Sequence, residues 1–254
     1  MSEQQAFILD SKTDDGKPCQ IHGIAQWPTG GAEPRPTVII CHGFKGFMEW
    51  GFFPPLADLL VERGFTVIRF NYSGSGMRPG DELVTDPAAF RANTFSQERQ
   101  ETLQVLAAAG ESIAPGQVDR DRLGLVGHSR GGGASLLASA SAEWSRRLRA
   151  LVTWAGVGTF DRFGDDAKKL WLEHGAVPLR NARTGQELEL GIELMHDIEQ
   201  NHATLDLAAA AAERRAPWLI VHGSGDETVP VAEAQNLDRA ARDPHELLVI
   251  EGAG

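Results

Sequence analysis

The pentapeptide Gly127-His128-Ser129-Arg130-Gly131 stands between an apolar run, Arg122–Val126, and a Gly- and Ala-rich stretch of helical length, Ser129–Ala142. A strand that turns sharply into a helix holds its corner residue at strained backbone angles with the side chain standing clear. Glycines two positions to either side relieve the crowding. A serine at such a corner is set up as a nucleophile, and the helix start behind it offers backbone N–H groups and a favourable dipole to a developing negative charge. The plain alternative is a Gly-rich helix start with a capping serine.

Two further loops fit the same chemistry. His42-Gly43-Phe44-Lys45-Gly46 follows the run Thr37–Cys41, and a glycine-flanked turn after a neighbouring strand can supply the second N–H that acyl transfer needs. The donors expected are the backbone amides of Phe44 and Arg130, each typically worth ~3 kcal/mol in the transition state. His42 itself is expected to be structural, bonded into its loop. Gly223-Ser224-Gly225-Asp226 follows the run Pro217–Val221. Asp226 there could orient a catalytic imidazole and stabilise its charged form, or serve as a simple turn former.

Short apolar runs, many ending in Gly, alternate with amphipathic stretches and must position these loops. The runs Thr37–Cys41, Thr66–Phe70, Arg122–Val126, Ala150–Trp154, Pro217–Val221 and Glu246–Ile250 suit strands covered on both faces, as in a parallel sheet. Phe7–Leu9 and Ile21–Trp27 predict a separate N-terminal hairpin, turning at Asp14-Asp15-Gly16. Phe53, Leu56 and Leu60 share a helical face within Phe53–Arg63, and Thr94 with Gln97 predicts a capping box for a helix through Ala109. This alternation predicts an α/β fold, a single domain over residues 1–254. Residues 156–216 break the rhythm and are expected to form a lid-like insertion riding on the sheet edge. It should hold a helix around Asp165–His174, a hairpin turning near Thr184-Gly185, and a helix around Ile192–Asn201.

With 24 Lys+Arg against 35 Asp+Glu the net charge is −11, which disfavours nucleic acid or an anionic membrane as a partner. Two cysteines, Cys19 and Cys41, make no disulfide framework; with no secretory signal pattern and no long apolar run, the expected location is cytoplasmic. Glu193-x-x-His196 and Glu199-x-x-His202 lie six positions apart, which turns them by roughly 240° on one helix. No metal is therefore expected there. Asn71–Gly76 lacks the third glycine of a dinucleotide loop, so no cofactor is expected. Trp154, Trp171 and Met195 could line an acyl pocket, but core or lid packing is the better account of each, taken singly.

The His-Gly loop, Asn71-Tyr72-Ser73-Gly74-Ser75-Gly76, the corner at Ser129 and the acid at Asp226, in that order, resemble the alpha/beta hydrolase family from Phe7 to Gly254. The HGFKGF loop and the hairpin insertion are similar to bacterial serine esterases of the feruloyl/cinnamoyl esterase and dienelactone-hydrolase-like groups. The resemblance implies a mostly parallel sheet flanked by helices and a serine hydrolase acting on a small-molecule carboxylic ester, with thioester or peptide cleavage as neighbours. It also implies a catalytic histidine after the last strand, where this sequence reads Glu251-Gly252-Ala253-Gly254 and ends. The parent sequence is expected to continue with His at or very near position 255, and the helix that usually closes that side of the sheet is missing too. If the native chain ends at Gly254, a catalytically inactive binding module is expected instead. His128, His222 and His245 are poor substitutes by position. Oligomeric state and acyl preference are not legible.

Overall fold

The computed structural model describes residues 1–31 and 33–254. The chain begins with two long strands, β1 (Ser2–Lys12) and β2 (Pro18–Pro28), followed by β3 (Arg35–Cys41), α1 (Phe53–Glu62) and β4 (Thr66–Asn71). Next come α2 (Pro87–Ala92), α3 (Phe95–Ala108), β5 (Val118–His128), α4 (Arg130–Ala140) and β6 (Leu148–Trp154). The remainder is α5 (Asp165–His174), β7 (Ala176–Arg180), β8 (Glu187–Gly191), α6 (Ile192–Gln200), α7 (Leu207–Glu213), β9 (Trp218–Gly223), α8 (Val231–Ala240) and β10 (His245–Ile250). Among the described residues no helix is long and apolar enough to cross a membrane.

Eight strands form one sheet in the order β1-β2-β4-β3-β5-β6-β9-β10. From β4 to β10 every pair is parallel, while β2 runs antiparallel to β4 and β1 antiparallel to β2. The expected N-terminal hairpin is thus an extension of the sheet and not a separate unit. Its Ala25 and Gln26 pair with Ile68 and Val67, and Ile21 and Ala25 are fully buried. The chain steps from β3 to β4 on one side and then to β5 on the other. Between β3 and β5 the order of connection reverses, and two loops splay apart at the carboxyl ends of the strands. Such a reversal is where open α/β sheets place ligands.

The two-residue period of the strands divides the core. Ile40 and Val67 face α1 and pack with Phe53, Ala57 and Val61. Ile39, Cys41, Ile68, Phe70, Leu123 and Leu125 face the other way, into the larger core shared with α3 and α4. Helix α4 is buried along Arg130–Ser139, and its three glycines let it lie against backbone. A Cβ on Gly131 would stand 2.3 Å from the His42 carbonyl oxygen, and one on Gly132 3.0 Å from the Gly156 Cα.

Residues 156–216 do not ride on the sheet edge. They leave and rejoin the sheet between β6 and β9, which are neighbours inside it. Helix α5, the β7–β8 hairpin and α6 reach back across the strand ends to α2 and α3, while α7 packs on α4 and α8. Asp197 on α6 anchors this segment by accepting hydrogen bonds from the Phe95 and Ser96 amides at the start of α3, at 2.8 and 3.0 Å. Thr94 caps that helix by accepting from the Gln97 amide, but the Gln97 side chain turns to the Lys12 carbonyl and Glu101 instead of closing a capping box.

Candidate active site

Ser129 sits at the β5–α4 corner with φ 53° and ψ −120°. This is a left-handed conformation that a residue with a side chain occupies only when its surroundings hold it there. They do so through backbone hydrogen bonds. The Ser129 amide donates to the Trp154 carbonyl at 2.9 Å, and the Ser129 carbonyl accepts from Gly132 at 2.9 Å and Val157 at 3.2 Å. Gly127 and Gly131 meet so closely that a Cβ on Gly127 would lie 2.4 Å from the Gly131 carbonyl oxygen. The two flanking glycines are therefore required by contact as well as by the turn.

The loop after β3 passes over the corner. A Cβ on Gly43 would stand 3.0 Å from the Ser129 Cβ. Phe44 follows, and Lys45 also takes a positive φ, 58°. Among the described residues the amides of Phe44 and Arg130 donate to no other group, and Arg130 is the first residue of α4, where a helix leaves its N–H groups unused. Side chains tie the two loops together. The Arg130 guanidinium forms a 2.7 Å ion pair with Glu98, both side chains buried, and lies over the rings of Phe95 and Phe44 at 4.2 and 5.4 Å. Glu98 also accepts from the Asn93 amide at 2.8 Å. Sequence reasoning missed this pair because its members lie on different helices.

Asp226 lies in the turn after β9. Its Oδ1 accepts from the Thr228 and Val229 amides, both at 2.9 Å, which leaves Oδ2 without a hydrogen bond among the described residues. The strand ends are in register: His128 pairs with Trp154, and Trp154 with Val221. With one strand between them, β5 and β9 lie roughly 10 Å apart. Asp226 therefore sits on the same rim of the sheet as Ser129. The segment after β10 folds back onto this turn. Gly225 donates to the Ala253 carbonyl at 2.7 Å and Gly252 to the Ser224 hydroxyl at 2.8 Å, and a Cβ on Gly254 would lie 3.5 Å from the Asp226 nitrogen.

The histidines separate by environment. His42 is structural, as expected: its Nδ1 bonds the Gly43 carbonyl at 2.9 Å, its Nε2 accepts from the Tyr72 amide at 3.2 Å, and burial pushes it down to about 4. His128 is wedged among Trp50, Phe52 and Phe53, and burial likewise lowers it to about 4 against the opposing pull of Asp226. His222 is fully buried; its Nε2 bonds the Val229 carbonyl at 2.7 Å and stands 3.8 Å from the Asp226 Oδ2. His245 opens β10 at the far end of the sheet, beside Asp238 and Asp243. None of these four is hydrogen-bonded to both Ser129 and Asp226.

A cavity of about 240 Å³ opens at Ser129, lined by Gly43–Gly46, Trp50, His128 and the β7–β8 turn at Asn181–Arg183. Gln186 fixes that turn to the loop before α2: its side chain accepts from the Val84 amide at 2.9 Å and donates to the Val84 carbonyl at 3.0 Å, like a strand partner. Trp154, Trp171 and Met195 do not line this cavity. Trp171 is buried and donates to the Leu190 carbonyl, Met195 is buried, and Trp154 lies against Phe52.

Strand order, a strained serine at the β5–α4 corner and an acid turn after β9 define an alpha/beta hydrolase. Within that class the chain belongs to the prolyl oligopeptidase family, whose model matches residues 50–254. Solved structures share the fold. A putative hydrolase from Agrobacterium vitis S4 is 23% identical with a TM-score of 0.73, over 98% of this chain and 90% of that one. Est1E from Butyrivibrio proteoclasticus, also solved with ferulic acid bound, is 20% identical with a TM-score of 0.67, over 96% and 88%. An acylaminoacyl peptidase from Pyrococcus horikoshii is 18% identical with a TM-score of 0.68, over 100% of this chain and 37% of that one. No curated protein sequence matches the chain significantly.

Proposed function

We propose that the chain is a serine hydrolase that cleaves carboxylic esters through an acyl-enzyme on Ser129. The carrying observation is the serine itself, held at φ 53° over a small cavity with two unused backbone amides beside it. In this reading the Ser129 Oγ attacks the acyl carbon and the amides of Phe44 and Arg130 hold the oxyanion. Asp226 orients an imidazole that approaches from the Gly254 side; it takes the serine proton and passes it to the departing alcohol. Water then releases the acid by the reverse sequence. No cofactor takes part.

Peptide cleavage is the second reading, favoured by the family to which the chain belongs. The ester is kept as the first reading because the cavity at Ser129, about 240 Å³, is below the usual range for ligand pockets.

The test is covalent labelling by a fluorophosphonate, followed by a panel of p-nitrophenyl and feruloyl esters. It is run on the present sequence and on one carrying a single histidine after Gly254. Labelling that maps to Ser129, strongest in the extended chain and lost in Ser129→Ala, is the expected result. Absence of labelling in both chains refutes the reading.

A further inference from the structure

We infer that the Ser129 cleft selects an acyl group bearing its own carboxylate, an inference that rests on the hydrolase reading above. The cleft is cationic in a chain of net charge −11. Lys45 on the loop after β3 and Arg183 on the β7–β8 turn both line it, no Asp or Glu lines it, and burial keeps the third basic group, His128, neutral. Neither cation has an ion-pair partner among the described residues. Lys45 is half-buried, and its ammonium, 5.5 Å from the Phe44 ring centroid, makes no hydrogen bond. It also occupies a positive-φ site in the loop that covers the serine, where a glycine would be free of strain.

Arg183 is exposed yet fixed. Its Nη1 and Nη2 both donate to the Glu82 carbonyl at 3.1 Å, and its guanidinium lies over Phe47 at 5.3 Å. Two of its five N–H groups are thus used and three remain for a ligand. Buried Asn181 also lines the cleft, and its side-chain NH2 makes no hydrogen bond among the described residues. An ammonium, a guanidinium fork and an amide NH2 bring three donors, two of them charged, to a cleft lined by no anionic acceptor, which is the complement of a carboxylate.

The cleft lies on the acyl side. The departing alcohol must receive its proton from the imidazole at Asp226, and no residue of the Asp226 turn lines the cleft. The acyl chain then runs the other way, toward Lys45 and the β7–β8 turn. Its volume suits a short half-ester of a dicarboxylic acid.

The experiment is calorimetric titration of the Ser129→Ala protein with monomethyl adipate and with methyl hexanoate, repeated in the triple variant that adds Lys45→Met and Arg183→Met. The expected result is at least tenfold tighter binding of the charged half-ester, shrinking as salt is raised and falling below twofold in the triple variant. Equal affinity for the two esters, or a preference that survives the triple variant, overturns the inference. Circular dichroism of the triple variant confirms that it folds. The fluorophosphonate result separates the two proposals. Anion preference without labelling leaves the cleft and removes the hydrolase, and labelling without preference does the reverse.

Discussion

Replacing Arg130 by methionine leaves the Glu98 carboxylate buried with only the Asn93 amide for company. Both members of the pair are over 90% buried, at 7% and 6% exposure, and their contact is 2.7 Å. Removing one member of such a pair costs about 3–5 kcal/mol, because the other charge stays in a place water does not reach. Glu98→Gln should fall near the lower end, ~3 kcal/mol, since the abandoned guanidinium keeps its two aromatic faces. The double variant Glu98→Gln/Arg130→Met removes both charges and should lose less than the sum of the singles, with a coupling of about 2 kcal/mol or more. Against a total stability of about 5–15 kcal/mol these are large fractions. Urea unfolding of the four proteins at pH 7, in 0.1 M and 1 M NaCl, measures the cycle. A buried pair predicts coupling that salt barely changes. Single variants that each cost under ~1 kcal/mol and simply add would refute the burial argument.

Three other outcomes are expected. Gly131→Ala should cost about 1–3 kcal/mol in chemical unfolding, because the new methyl meets backbone carbonyls of His42 and Cys41 at 2.3 and 2.5 Å and cannot push a flexible side chain aside. Glu101, buried under the Ser73 loop, is raised to about 7 by desolvation. The unfolded chain then ionises this group first, so its contribution is intact below pH 4.5 and fades as pH rises to about 7; Glu101→Gln should flatten that part of the stability profile, read from melting temperatures between pH 4 and 8. Gln186→Ala removes both bonds to Val84 and should speed amide exchange across Asn181–Gln186 roughly tenfold, equivalent to about 1.4 kcal/mol of local opening, while β5 and β6 stay protected.

The central strands were legible because each is buried on both faces and therefore reads as an unbroken apolar run. Val67, Ile68 and Phe70 in β4 are examples, all at 0% exposure. Strand ends were less so. β5 begins at Val118, four residues before its apolar run: Val118 pairs with Arg35, and a shift in register then carries Asp119–Arg122, half-buried or exposed, past the partner strand before Leu123 pairs with Thr37. The short helices α2 and α7 are nearly all alanine and other small or apolar residues over six and seven positions, so no polar face alternates with an apolar one to set a helical period. The corner at Ser129, the turn at Asp226 and the free amides of Phe44 and Arg130 lie where local spacing put them, after β5, after β9, in the loop after β3 and at the start of α4. The ion pair beneath them could not be read that way, because Glu98 and Arg130 meet only after α3 and α4 pack. The same limit applies to the N-terminal hairpin, whose pairing with β4 is invisible until the sheet assembles. Nor does anything local announce that Asn181–Arg183 would face the serine.

The two sides of the cleft differ in how freely they can vary. One side is the strand-end turn at Gly43, His128 and Ser129, packed so closely that a Cβ on Gly43 would stand 3.0 and 3.1 Å from Ser129 and His128. The other is a hairpin turn whose Ala182 and Arg183 are exposed and which is attached through a single glutamine and a single arginine. Descendants of this chain can therefore drift in what they accept by exchanging turn residues, at little risk to folding, while the reactive corner stays almost immutable.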